Sequence, residues 1–138
     1  MFDSETRILL VEDTDITRAI VKKMLEKMGF KRITESSNGA QAWGEIQRGV
    51  ETNSPFRVVI ADWNMPEMNG MDLLKKVQGT PAMKSAPFIM LTSNTDKDQV
   101  VEAIKAGVSL YLAKPFPASA LERKLKEGWE HSQRKKAS

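Results

Sequence analysis

Four short apolar runs in the chain each end on a polar residue that a buried strand has no structural use for. Arg7-Ile8-Leu9-Leu10-Val11 runs into Glu12-Asp13, and Val58-Val59-Ile60-Ala61 runs into Asp62. Phe88-Ile89-Met90-Leu91 ends at Thr92, and Leu110-Tyr111-Leu112-Ala113 ends at Lys114-Pro115. A shorter run, Arg32 to Glu35, reads as a further strand. Between the runs the apolar period changes from continuous to helical. Ile16, Ala19, Ile20, Met24 and Met28, with Val21 and Leu25 beside them, outline the first helix, and Gly29 stands where a glycine would stop it.

Ser36-Ser37-Asn38-Gly39 is a turn and cap cluster ahead of a helix expected from about Ala40 to Gln47, with Val50 to Pro55 as the loop into the next strand. Met65 to Gly70 lacks an apolar period and reads as a loop before a helix from about Met71 to Gln78, closed by Gly79 and Pro81. Thr95-Asp96-Lys97-Asp98 opens another helix with a hydroxyl and two acids, favourable to its dipole; Val100, Val101, Ile104 and Ala106 continue it to Gly107. Leu121, Leu125 and Trp129 recur at intervals of four on the last helix. Strands alternating with helices predict an α/β, doubly wound (βα)₅ domain, a three-layer sandwich with helices on both faces of a parallel sheet. Continuous rather than alternating apolar strands suit a sheet covered on both sides.

At 138 residues, with 41% apolar and 28% charged residues, the chain fits one domain with an ordinary core. A single domain over residues 1–138 is expected, its core about 6–129 and a basic tail about 130–138. The absence of cysteine excludes disulfides, thiolate metal sites and a cysteine nucleophile. The acidic start, Met1 to Glu5, lacks the features of a signal peptide, and no apolar run approaches a membrane span, so a cytoplasmic location without a membrane partner is expected. The net charge of +3 resides entirely in residues 122–138; the rest is neutral. That places the positive charge on a solvated terminus rather than on a nucleic-acid surface. His131, the only histidine, is expected exposed in this polar tail, and Trp43 and Trp129 to pack helices.

In an open parallel sheet, ligands bind at the carboxyl ends of the strands. Gathered there, Glu12, Asp13, Asp62, Thr92 and Lys114 would make a site for a divalent cation and a phosphate. Asp62, at the tip of the central strand, is the candidate nucleophile, able to form an acyl phosphate. Carboxylates in one cleft repel one another, and Mg²⁺ relieves that repulsion. Lys114 can neutralise one phosphate oxygen as a point charge, and the Thr92 hydroxyl can donate to another. Each residue also has a plainer role: Asp13 as a helix cap, Asp62 as a turn residue, Thr92 as a strand end and Lys114 as a surface lysine. Their joint placement on four strand ends is what favours the chemical reading.

Glu12-Asp13, Asp62-Trp63-Asn64-Met65-Pro66, Thr92-Ser93 and Tyr111-Leu112-Ala113-Lys114-Pro115-Phe116 together resemble the signature of bacterial two-component response-regulator receiver domains, in particular the single-domain CheY type. The similarity runs from about Thr6 to Trp129. The resemblance implies a flavodoxin-like, CheY-like sheet of order 2-1-3-4-5 and a protein that is no enzyme beyond its own phosphorylation and dephosphorylation. By position it implies Asp62 as phosphoacceptor, with Thr92 and Lys114 contacting the phosphoryl group. One Mg²⁺, which Mn²⁺ can replace, is implied at Glu12, Asp13, Asp62 and the backbone carbonyl of Asn64, directly or through water. Lys114-Pro115 matches the family's cis peptide. Tyr111 matches an aromatic switch that moves inward as Thr92 is drawn to the phosphate. The fourth helix, fifth strand and last helix then form the output face.

The sequence departs from the CheY pattern where Glu12 replaces an aspartate and Asn94 a glutamate. Asn64 and Asn94 flank the path of an attacking water and are expected to tune the lifetime of the acyl phosphate. The implied partners are a sensor histidine kinase of the chemotaxis type, the flagellar motor switch or another phosphorylation-dependent protein, and a phosphatase; a monomer is expected. A phosphorelay shuttle or a receiver for another kinase pathway is the alternative. A haloacid-dehalogenase-like phosphatase fits poorly, because Asn64 cannot act as the general acid of its Asp-x-Asp pattern. Nucleotide binding lacks a P-loop or Gly-x-Gly-x-x-Gly.

Overall fold

The computed structural model describes residues 2–65, 67–92, 101–102, 104–108 and 110–137. Its elements are β1 (Arg7–Val11), α1 (Asp15–Lys27), β2 (Arg32–Ser36), α2 (Gly39–Glu51), β3 (Val58–Asp62), α3 (Gly70–Gln78), a 3₁₀ turn (Pro81–Met83), β4 (Phe88–Thr92), β5 (Leu110–Ala113) and α4 (Ala118–Ala137). Residues 101–102 and 104–105 are also helical. All strand pairs are parallel, in the order β2-β1-β3-β4-β5. This is the doubly wound sheet expected from the alternating pattern, in the flavodoxin-like order that the resemblance implies.

Strand alternation divides the core into two layers. Leu9, Val11, Val59, Ala61, Phe88 and Met90 pack with Ala42, Ile46, Leu73, Leu74 and Val77 of α2 and α3. Ile8, Leu10, Val58, Ile60, Ile89 and Leu91 pack with Val21 and Leu25 of α1 and Leu121 and Leu125 of α4. β3 and β4 are buried throughout, whereas β5 alternates between buried and exposed residues. Burial of these central strands removes water from both faces and supplies the main driving force for folding.

Helix ends follow local chemistry. Gly29 stands just past α1 at φ 100°, a conformation that costs glycine little. The Asn38 side chain accepts from the Gln41 amide at 2.8 Å and caps α2. α2 is longer than the sequence pattern predicts, running to Glu51. Val50 packs partly buried against the core, the Thr52 hydroxyl donates to the Arg48 carbonyl at 2.9 Å, and Asn53 makes the left-handed turn at φ 59°.

The expected polar tail is helical: α4 continues to Ala137. Ser132 is buried and its hydroxyl donates to the Trp129 carbonyl at 2.7 Å. His131 is half-buried rather than exposed, and lines a cavity of about 300 Å³ with Leu74, Val77, Met83 and Val108. A helix segment whose own composition reads as solvated is therefore partly covered beside α3 and the start of β4. At the other edge, Trp129 meets Phe2 edge to face, with ring centroids 5.2 Å apart.

Candidate phosphoryl and cation site

The parallel order brings the carboxyl ends of β1, β3, β4 and β5 side by side, with β1 and β3 adjacent at the sheet centre. β1 delivers Glu12 and Asp13 immediately after Val11, and Asp62 is the last residue of β3. Glu12 is fully buried, Asp62 nearly so, and Asp13 exposed. One carboxylate oxygen from each of the three lies within 4.8 Å of those of the other two. Three hard oxygen donors at this separation, one of them open to solvent, fit a small divalent cation that keeps part of its water shell.

Lys114 enters the cleft from the end of β5. Its Nζ lies 2.8 Å from Glu12 Oε2 and 3.3 Å from Asp62 Oδ2. The Lys114 amide donates to the Thr92 carbonyl at 2.6 Å, and the Lys114-Pro115 peptide is cis. The backbone hydrogen bond ties Lys114 to the end of β4. Thr92 is itself buried at the tip of β4, opposite Ala113 in register.

Among the described residues the charges are unbalanced, with three carboxylates against one ammonium. Burial pushes the Glu12 carboxyl above its ordinary pKa; the Lys114 hydrogen bond opposes this and the Asp62 charge adds to it. Burial alone would lower Lys114, but the Glu12 hydrogen bond and the Asp62 charge outweigh it and hold the ammonium above its ordinary pKa. Lys114 therefore stays protonated and serves as a charge rather than as a base.

The segment after Asp62 is held tightly. The Asn64 amide donates to Asp62 Oδ1 at 3.4 Å, Trp63 donates to the Leu91 carbonyl at 2.9 Å, and Gly70 donates to the Trp63 carbonyl at 3.0 Å. A Cβ on Gly70 would sit 2.6 Å from the Asp62 carbonyl oxygen and 2.7 Å from Met90 Sδ, so only glycine lets α3 begin this close to the site. Trp63 is buried in the α2–α3 layer.

The structure thus brings together Glu12, Asp13, Asp62 and Lys114, with Thr92 and Asn64 at the edge of the same cleft. Tyr111 lies apart, 39% exposed on β5, with Lys124 Nζ 6.0 Å from its ring centre. Asn94 lies outside the described residues. The sequence pattern did not point to Arg18, whose Nη1 donates to the Glu12 main-chain carbonyl at 2.7 Å. A helical arginine facing a preceding strand end leaves no spacing signal. Nor did it point to the apolar groove of about 400 Å³ beside Lys114, lined by Ile20, Val21, Met24, Pro115 and Phe116.

The chain matches the family model of the response regulator receiver domain over residues 8–126. It is 40% identical over 119 residues to chemotaxis protein CheY1 of Helicobacter pylori, covering 86% of this chain and 93% of that one. Among solved structures, chemotaxis protein CheY4 of Vibrio cholerae superposes with a TM-score of 0.78 at 29% identity, covering 88% of this chain and 97% of that one. The receiver domain of the Pseudomonas aeruginosa sensor histidine kinase PA1611, with a magnesium ion coordinated in its active-site cleft, superposes with a TM-score of 0.77 at 28% identity, covering 88% and 95%.

Proposed function

The chain belongs to the response regulator receiver family, and from that premise we propose that it accepts a phosphoryl group from a sensor histidine kinase on Asp62 and signals by phosphorylation-dependent protein binding in chemotaxis. The observation that carries this reading is the Lys114 ammonium set between the Glu12 and Asp62 carboxylates, with Asp13 beside them.

In the transfer, an Asp62 carboxylate oxygen attacks the phosphorus of a phosphohistidine. The phosphorus–nitrogen bond breaks, its electron pair stays on the imidazole, and Asp62 becomes an acyl phosphate. Little covalent help is needed, since such transfers depend on positioning and charge neutralisation. Lys114 donates to one phosphoryl oxygen, giving up part of its contact with Glu12, and the Thr92 hydroxyl donates to another. Glu12, Asp13, Asp62 and the Asn64 carbonyl would hold Mg²⁺ or Mn²⁺, which when bound offsets the charge shared by phosphoryl group and carboxylates.

Thr92 moving toward the phosphoryl group leaves space beneath β5 that Tyr111 fills by turning inward. This shifts an existing equilibrium by the difference in phosphoryl stabilisation between two states. The changed face, which includes Tyr111 and the exposed Val101 and Ile104, is what a flagellar motor switch protein would read. Asn64 and Asn94 tune how fast water or a phosphatase removes the signal.

The test is transfer of labelled phosphate from an autophosphorylated chemotaxis histidine kinase. Label on the wild type, absent from Asp62→Asn, is the expected result; equal labelling of Asp62→Asn contradicts the assignment. Faster transfer from a kinase of another pathway would move the protein out of chemotaxis.

A further inference from the structure

The Glu12-Asp13 segment must hold both carboxylates toward the cleft, although it lies where β1 ends and the backbone is about to turn into α1. The only side chain that donates to its main chain, among the described residues, is Arg18. Nη1 donates to the Glu12 carbonyl at 2.7 Å. Nη2 of the same guanidinium donates to Asp15 Oδ1 at 2.6 Å, and Nε lies 3.5 Å from Glu35 Oε1 on β2. Glu35 is held in turn by Lys22 at 3.2 Å. One planar group thus joins the end of β1, the first turn of α1 and β2. The Arg18 side chain is 18% exposed.

We infer that Arg18 is a positioning residue for the cation site: its guanidinium fork fixes the main chain at Glu12 so that the Glu12 and Asp13 carboxylates converge with Asp62. This rests on the reading of those three acids as the Mg²⁺ site. Arginine suits the task because its donors diverge at fixed angles, whereas a lysine is a point charge that cannot hold three acceptors in one plane.

Charge and position predict opposite outcomes. A positive group beside a divalent-cation site repels the cation, so if charge were all Arg18 supplied, removing it would tighten Mg²⁺ binding. If Arg18 positions the carboxylates, removing it weakens binding, and a lysine in its place weakens binding with the charge unchanged. Groups that orient metal ligands typically contribute ten- to a hundredfold in affinity, so about tenfold is expected for each variant.

The experiment is calorimetric titration of Mg²⁺ into the wild type, Arg18→Lys, Arg18→Met and Asp13→Asn, with melting curves to establish that each is folded. Weaker binding in both Arg18 variants, each with a cooperative melt, is the expected result. Unchanged binding in Arg18→Lys with tighter binding in Arg18→Met would overturn the positioning role while leaving the cation site intact. Wild type and Asp13→Asn both without measurable binding would overturn the cation site and this inference with it. If Arg18→Met does not fold, Arg18→Lys decides: binding equal to wild type overturns the inference.

Discussion

Lys114 is the residue on which the site's balance turns. Among the described residues it is the one cation within reach of two buried or nearly buried carboxylates, 2.8 Å from Glu12 and 3.3 Å from Asp62. Removing one partner of a buried pair leaves an uncompensated charge, which typically costs about 3 kcal/mol. Lys114→Met is therefore expected to lower stability by roughly that amount at neutral pH, measured by urea denaturation. Because Mg²⁺ supplies the missing positive charge, millimolar Mg²⁺ should raise the melting temperature more in Lys114→Met than in wild type. An equal rise in both would mean that cation and lysine do not answer the same carboxylates. None of this pairing is visible in the sequence, where Glu12 and Lys114 stand 102 positions apart. The sequence predicts Glu12 at the metal, and in the structure its carboxylate also reaches the lysine. The individual donors were legible because each ends an apolar run; who touches whom was not.

At the scale of elements, site geometry depends on how closely α3 and α2 approach the strand ends. Gly70 is the clearest case: an added Cβ meets the Asp62 backbone oxygen at 2.6 Å and Trp63 Cα at 3.1 Å. Backbone cannot yield as a flexible side chain would, so Gly70→Ala should destabilise the fold by about 2 kcal/mol and slow phosphorylation of Asp62 as well. A stable variant with the wild-type rate would show that the start of α3 has no bearing on the site. The cap of α2 makes a useful contrast. Asn38→Ala removes an ordinary N-cap and should cost about 1 kcal/mol in denaturation, with Mg²⁺ affinity unchanged. Caps and glycines mark element ends in the sequence, as at Gly29, Asn38 and Gly79. Polar residues sheltered by a neighbour carry no such mark. Residues 130–137 look solvated in the sequence, yet Ser132 is buried and His131 half-buried because α4 runs on past the core. Only the packing of α4 over the start of β4 explains this, and no local period carries that information.

For the whole molecule, the fold followed from alternation of continuous apolar runs with helical periods, and the sheet order β2-β1-β3-β4-β5 places every candidate donor at one end. In the proposed switch the site acts on the surface through β5, which carries Tyr111 on its exposed side three residues before Lys114. Tyr111→Ala should leave phosphorylation of Asp62 unchanged while reducing phosphorylation-dependent capture of a motor switch protein. Loss of both together would mean that Tyr111 serves the site and not the output. Trp63, buried beside Asp62, provides an intrinsic probe, and its fluorescence should change as Mg²⁺ is added through the millimolar range; a flat signal would count against a cation at these carboxylates.

On the proposed function, Asp62 receives one phosphoryl group in a reaction that needs a divalent cation. Intact-mass measurement after incubation with acetyl phosphate tests it without a kinase or a partner. One added phosphoryl group should appear with Mg²⁺, disappear with a chelator, and be absent from Asp62→Asn. No uptake by wild type in the presence of Mg²⁺, or undiminished uptake by Asp62→Asn, would contradict it.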